Sequence, residues 1–312
     1  MQSRQVRGEN RRRPAPKTLS TNGNSRYQRQ RGRPNLRGEV SLPRLAIERG
    51  LQMVRLYENW PMALADRLGL RRGGHVLYRI RKNTAPAELV ARSNGCDVRT
   101  IGEIWIGSLY DRLIDVPSAQ GSPPLVVDIG ANCGYFAVYM ASRYPGAEIL
   151  CFEPEGENRA LAEVNLTLNA VKAELRPEAV VVGQRGFVTL NLSDDPRLHT
   201  TVTAEDAGSH GIDTRRYSGR STQVRAVDIN DAIAPISARR PIDLLKIDVE
   251  GIDLDLVSAL SPANLLNIGC IVAETEGAET GTTIAHLERN GFSVLEDAHL
   301  LFAHRTRSST DC

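Results

Sequence analysis

The sequence predicts an α/β fold: a mostly parallel seven-stranded sheet with helices on both faces and an antiparallel hairpin at its C-terminal end. Two observations carry this. From residue 125 onward, short apolar runs alternate with segments of helical period, the pattern of a parallel sheet covered on both faces. The last two runs, FSVLED and HLLFAHR, are joined by a connection too short for a helical crossover, so they must pair antiparallel.

The elements follow in order. LVVDIG reads as a buried strand, GYFAVYMASRY as a helix that stops at Pro145-Gly146, and EILCFEP as a second strand. NRALAEVNLTLN places Leu161, Val164 and Leu168 at helical spacing, which predicts one apolar face. AVVVG is the next strand, FVTLNL alternates as an antiparallel strand would, and a long polar segment covers residues 193–222. QVRAVDI, the short helix NDAIA, the strand IDLLKIDV, the helix DLDLVSAL, the strand GCIVAE and the helix TIAHLERN, closed by Gly291, lead into the final hairpin.

Upstream, residues 41–96 read as a helical cover, with Pro61 marking a helix boundary. The runs HVLYRI and VRTIGEIWIGSLYDRLI lead towards the core. The expected organisation is a disordered basic arm over 1–40, this cover, a catalytic domain over 97–306 and a disordered tail over 307–312.

The chain is nearly neutral at +2, but residues 1–37 hold eleven Lys or Arg against the single acid Glu9, so the remainder is net negative. The arm has too few apolar residues to offset its ordering entropy. It is either a solubilising tail or a contact for nucleic acid, an acidic partner or an anionic membrane; an Arg-rich transit peptide is a further reading. No apolar leader core follows it, and no run approaches the roughly 20 residues of a membrane span. Five cysteines without a CxxC spacing fit neither a zinc site nor a complete disulfide framework. The expected place is the cytoplasm.

The chemistry concentrates in VVDIGANCGYF, residues 126–136. In an open parallel sheet ligands sit beyond the carboxyl ends of the strands, where this loop lies. Gly130 and Gly134 permit a tight turn and close backbone approach, and the helix that follows presents free N–H groups. A dinucleotide fingerprint wants GxGxxG, whereas this loop runs Asp128-x-Gly130-x-Asn132-x-Gly134. Asp128 is an unwelcome neighbour for pyrophosphate and suits a ligand bearing an ammonium group, or else merely ties down the loop. Glu153, at the end of the second strand, is placed to accept hydrogen bonds from both ribose hydroxyls of a nucleoside. An NAD-linked dehydrogenase shares that feature, but not this glycine spacing or the C-terminal hairpin.

Together VVDIGANCGYF, CFEPEGENRALAEVNLTLN and LLKIDVEGIDLDLVSAL resemble the FkbM family of S-adenosylmethionine-dependent methyltransferases, over roughly residues 97–277. EIWIGSLYD and AVDINDAI resemble the family's flanking segments. The resemblance implies a class I (Rossmann-like) methyltransferase fold, S-adenosylmethionine as cofactor and O-methylation of a hydroxyl on a natural product, sugar or lipid. N-methylation, or a non-catalytic methyltransferase-like protein that binds partners through its arm, are the alternatives. It further implies a cofactor site of Asp128, Gly130, Asn132, Gly134, Tyr135, Phe136, Glu153, Pro154 and Asn158. One departure stands out: two residues after the glycine of KIDVEG the chain has Asp253, where the family commonly has Glu.

An alcohol must lose a proton as it is methylated, which asks for a base. Lys246 and Asp248 alternate along one strand face and Glu250 follows at the turn, so Asp248 or Glu250 is placed to take that proton. The competing reading has Asp248 paired with Lys246 and Glu250 capping the next helix. Glu274 and Glu276 end the neighbouring strand and offer oxygen ligands for Mg²⁺, although no dense oxygen cluster accompanies them and no metal is expected. His199 and His210, in the polar segment, are further candidates for the base. That segment is long for a structureless loop and is expected to form a substrate lid or a hairpin insert. Trp105, Tyr110 and Tyr135 either line the acceptor pocket or belong to the core.

Overall fold

The computed structural model describes residues 50–306 apart from 72, 82–86, 94–95, 107–109, 111–121, 204–212, 214, 216, 276–277 and 298. The basic arm, the C-terminal tail, His210 and Glu276 therefore lie outside the described residues.

A helical run over 50–56 precedes α1 (Trp60–Arg67), which has Pro61 in its first turn, where a missing N–H costs nothing. The following part of the segment expected to be a helical cover is instead a β-hairpin, β1 (His75–Ile80) paired antiparallel with β2 (Ala87–Arg92). The burial of β2 alternates strictly, a period of two that only a strand satisfies. Next comes α2 (Asp97–Ile106), then β3 (Leu125–Ile129), α3 (Tyr135–Arg143), β4 (Glu148–Phe152), α4 (Gly156–Leu168) and β5 (Ala173–Arg176). A separate small sheet holds β6 (Ala179–Val181), β7 (Gly186–Ser193) and β8 (Tyr217–Asp228) in the order β6-β8-β7. The chain continues through α5 (Ile229–Ser237), β9 (Ile242–Ile247), α6 (Asp253–Ala259), α7 (Pro262–Leu265), β10 (Ile268–Glu274), α8 (Gly281–Arg289), β11 (Phe292–Asp297) and β12 (Leu300–Arg305).

The main sheet has the order β11-β12-β10-β9-β3-β4-β5. Its five strands from β10 to β5 run parallel, and β12 pairs antiparallel with both β10 and β11. The order reverses between β3 and β9, so the crevice at their carboxyl ends is the ligand position of an open α/β sheet. Every residue of β3 and β9 is buried, which explains why these strands read as mainly apolar runs, broken only by Asp128, Asp243 and Lys246. Alternate side chains feed two cores. Val126, Cys151, Leu244 and Phe302 face the aromatic side with Tyr57, Tyr78, Trp105 and Tyr139, while Val127, Ile129, Leu245 and Ile247 face α5, α6 and α8.

Two further expectations are corrected. AVVVG is not the third parallel strand: that place belongs to β5, AELR, a half-exposed edge strand with too little apolar character to stand out. The apolar face expected on α4 is also rotated. Leu161 is buried, but Val164 and Leu168 are 44% and 46% exposed, and the buried stripe includes Asn158, Asn165 and Asn169's neighbour Leu166.

The asparagines explain that rotation. Asn165 and Asn169 lie one turn apart and pair with the outer edge of β2 as a neighbouring strand would. Val90 N–H donates to Asn165 Oδ1 (2.7 Å) and Asn165 Nδ2 donates to the Val90 carbonyl (3.0 Å). Glu88 N–H donates to Asn169 Oδ1 (2.9 Å) and Asn169 Nδ2 donates back to the Glu88 carbonyl (2.7 Å). Satisfying these backbone groups outweighs burying two aliphatic side chains, because an orphaned buried amide costs about 1–3 kcal/mol.

Candidate active site

The loop after β3 is fixed by its backbone. Gly130 N–H and Ala131 N–H both donate to the Phe152 carbonyl (3.0 Å each), and Asp248 N–H donates to the Ile129 carbonyl (3.0 Å). Gly130 has φ +81°, and a Cβ there would lie 1.8 Å from the Asp248 carbonyl oxygen. At Gly134 (φ +74°) a Cβ would press on Ala162 of α4 at 3.2 Å. The two glycines thus let protein segments meet each other: β9's end against the first loop, and α4 against the start of α3. Asn132 adopts φ +50°, which asparagine tolerates, and its Oδ1 accepts from Cys133 N–H (2.8 Å).

Glu153 is 5% exposed and receives one backbone N–H on each oxygen, Asn132 N–H on Oε2 and Glu155 N–H on Oε1, both at 2.8 Å. A carboxylate has about four acceptor positions, so these bonds leave capacity on both oxygens. Burial pushes its pKa up to about 7, against the lowering effect of the two backbone donors.

Asp128 does not line the cleft itself. It is fully buried, and its Oδ1 accepts from Lys246 Nζ at 3.1 Å. The same ammonium lies 3.0 Å from Asp248 Oδ2 and 5.4 Å from the centre of the Phe136 ring. Burial disfavours the charge on Lys246, but two flanking carboxylates outweigh it and hold the group well above its usual pKa. Of this triad only Asp248 reaches solvent, with its side chain 32% exposed.

These elements border a cleft of about 250 Å³ at the carboxyl ends of β3, β4 and β9. Of the residues expected to hold the cofactor, Gly130, Asn132, Glu153, Pro154 and Asn158 line it, as do the expected catalytic residues Asp248 and Glu250. Lys246 stands behind Asp248, and Asp128, Gly134, Tyr135 and Phe136 are not among the lining residues. Tyr135 is turned into the core, where its hydroxyl donates to Asp97 (3.0 Å). Trp105 is also core, packed edge-on against Tyr139, and Tyr110 packs on Phe136. Glu250 does not cap α6. It takes φ +57° beside Gly251 at φ +102°, and Asp253 reaches back to accept from Val249 N–H (2.9 Å). The short acid at 253 thereby closes the KIDVEG turn.

Several lining residues carry no signal in the sequence. Thr100 and Glu103, three apart on α2, form one wall; Glu178, Ala179 and Val180 form another, and Glu274 contributes from β10. Residues 195–201 cross the cleft as a strap and bring Arg197, Leu198, His199 and Thr201 to it. The strap is tied at both ends, by Asn158 Nδ2 donating to the Pro196 carbonyl (3.1 Å) and Thr200 Oγ1 donating to the Glu250 carbonyl (2.7 Å). Among the described residues no three His, Cys, Asp or Glu are grouped as a metal site, and no helix is long and apolar enough to cross a membrane.

The strand order, with its reversal beside a glycine loop and a buried acid ending the next strand, defines a class I methyltransferase. Residues 128–294, more than half of the chain, match the methyltransferase FkbM domain, and the chain belongs to that family of S-adenosylmethionine-dependent methyltransferases. Among curated relatives it is 29% identical over 218 residues to methyltransferase sdnD of Sordaria araneosa, covering 62% of this chain and 82% of that one. It is 26% identical over 200 residues to the 31-O-demethyl-FK506 methyltransferase FkbM of Streptomyces tacrolimicus, covering 57% and 76%. It is also 28% identical over 236 residues to the AMB antimetabolite synthetase AmbE of Pseudomonas aeruginosa, covering 64% of this chain but only 11% of that much longer one.

The lining fits S-adenosylmethionine. Glu153 retains acceptor capacity for a ribose diol, Phe152, Ala179, Val180 and Leu190 supply apolar surface for a base, and the many carboxylates suit a cationic ligand.

Proposed function

We propose that the protein methylates a hydroxyl group of a small molecule, a natural product, sugar or lipid, in the cytoplasm. The observation that carries this reading is the placement of Asp248. Its Oδ2 is held by Lys246 at 3.0 Å while the side chain opens to the cleft beside Gly130. A carboxylate fixed in this way is oriented to take a proton, and Lys246 positions it. The relative from Streptomyces tacrolimicus, whose name describes methylation at an oxygen, supports an oxygen acceptor.

Glu153 holds the ribose hydroxyls, Gly130 and Asn132 border the methionine end, and Pro154 and Asn158 complete the nucleoside side. Bound S-adenosylmethionine supplies a sulfonium methyl open to in-line attack. The chain's own work is to hold the acceptor oxygen behind that methyl and to remove its proton. Thr100 and Glu103 of α2, opposite the nucleoside side, form the acceptor wall, with Asp248, Glu250 and Glu274 at the strand ends. The described cysteines Cys133, Cys151 and Cys270 are not in disulfides, which suits a reducing compartment.

Transfer of labelled methyl to metabolites from the source cell, with the parent and Asp248→Asn, tests the reading. Loss of about 10²-fold or more in turnover, with S-adenosylhomocysteine affinity kept, is the expected result. An O-methylated product formed at the parental rate by the variant would defeat the role of Asp248, and a product labelled at nitrogen would defeat the acceptor class.

A further inference from the structure

The polar segment between β7 and β8 returns to the cleft through the strap, and His199 sits within that strap. The ring is held from one side: Ser193 N–H donates to His199 Nδ1 at 3.0 Å. A ring nitrogen that accepts an N–H bond is unprotonated, so the proton of the neutral ring lies on Nε2. Burial lowers the His199 pKa, with Glu155 and Asp195 opposing and Arg92 and Arg220 reinforcing that shift, so the neutral ring prevails at neutral pH. In this state the lone pair needed for a general base is already engaged, and the ring offers the cleft an N–H donor.

The strap has no freedom to re-aim the ring. Arg92 Nη1 donates to Asn158 Oδ1 (2.8 Å), which fixes the amide so that its Nδ2 must point at the Pro196 carbonyl. Thr200, next to His199, is tied to the Glu250 carbonyl. The donor is therefore preorganised before any ligand arrives, which is how a side chain confers specificity at low ordering cost.

We propose that His199 is a specificity-determining residue of the methyl-transfer site, a fixed Nε2–H donor to a ligand oxygen carried by the cofactor or by the acceptor. This rests on the cleft being the transfer site. It removes His199 from the set of bases and leaves that task to Asp248.

Two substitutions separate the ring's two ends. In His199→Asn the amide oxygen takes the position of Nδ1 and keeps the Ser193 bond, while the donor at Nε2 is lost. In His199→Gln the amide reaches the Nε2 position and restores a donor. The Asn variant is expected to fold with the parental melting temperature and to lose roughly five- to tenfold either in S-adenosylhomocysteine affinity or in acceptor KM. The first loss assigns the oxygen to the cofactor and the second to the acceptor, and Gln should recover part of either. Nitrogen-15 NMR of the parent should report a protonated Nε2 and a bare Nδ1. A bare Nε2, or an Asn variant with parental binding and KM, overturns the proposal. Failure of the parent itself to bind S-adenosylhomocysteine would instead overturn the reading of the cleft.

Discussion

Glu153 couples cofactor binding to a proton. With an ordinary Glu pKa of 4.5 and a folded value of about 7, the ligand-free protein holds more protons than the unfolded chain between those limits. Its contribution to stability is fully present below pH 4.5 and is lost as pH rises through 7, to the extent of about 3 kcal/mol. Two ribose hydroxyls donating to the carboxylate, beside a ligand ammonium, favour the ionised form, so binding must expel the proton. For a site of pKa near 7 that ionises on binding, S-adenosylhomocysteine should bind about tenfold more weakly at pH 6 than at pH 8. Isothermal calorimetry in buffers of differing ionisation enthalpy measures both the affinity and the proton released. Glu153→Gln should bind weakly at both pH values and release no proton. Parental affinity that is flat from pH 6 to pH 8, with no proton released, refutes the reasoning.

Three further outcomes follow from the geometry. Lys246→Met leaves Asp128 buried without its ion pair and should cost about 3–5 kcal/mol in urea unfolding at pH 8. The deficit should shrink as the pH is lowered, because burial raises the Asp128 pKa and the loss of Lys246 removes the charge that opposes that rise; a variant as stable as the parent at pH 8 contradicts the buried triad. Gly130→Ala sets a Cβ 1.8 Å from the Asp248 carbonyl and should abolish S-adenosylhomocysteine binding or prevent folding, so a variant with parental affinity contradicts the loop geometry. Asn165→Leu strands the Val90 and Cys133 backbone groups that its amide satisfies and should lower stability by about 3 kcal/mol; a loss below about 1 kcal/mol would show that the edge of β2 does not depend on it.

The parts of the fold legible in the sequence are mainly those that are most deeply buried. β3, β9 and β10 are mainly apolar runs because both their faces are covered, and the final hairpin is legible from the shortness of its connection. β5 was not legible, since an edge strand with half-exposed residues lacks that pattern. On α4, apolar periodicity pointed to Val164 and Leu168, whereas the buried face was chosen by hydrogen bonds from Asn165 and Asn169 to a strand some 75–81 residues earlier. The site divides in the same way. Gly130, Asn132, Glu153, Asp248 and Glu250 sit at strand ends and are readable from local pattern. The pairing of Asp128 with Lys246 is not legible locally, because the two lie 118 residues apart. Thr100, Glu103, Arg197 and Thr201 reach the cleft only through tertiary packing of α2 and the strap, which no local period announces.

A crystal of the protein with S-adenosylhomocysteine bears most directly on the whole account. The nucleoside should lie in the cleft beyond β3 and β4, with both ribose hydroxyls at roughly 2.6–3.2 Å from the Glu153 oxygens and the sulfur turned towards Asp248. A nucleoside found elsewhere, or one whose ribose faces away from Glu153, would contradict it.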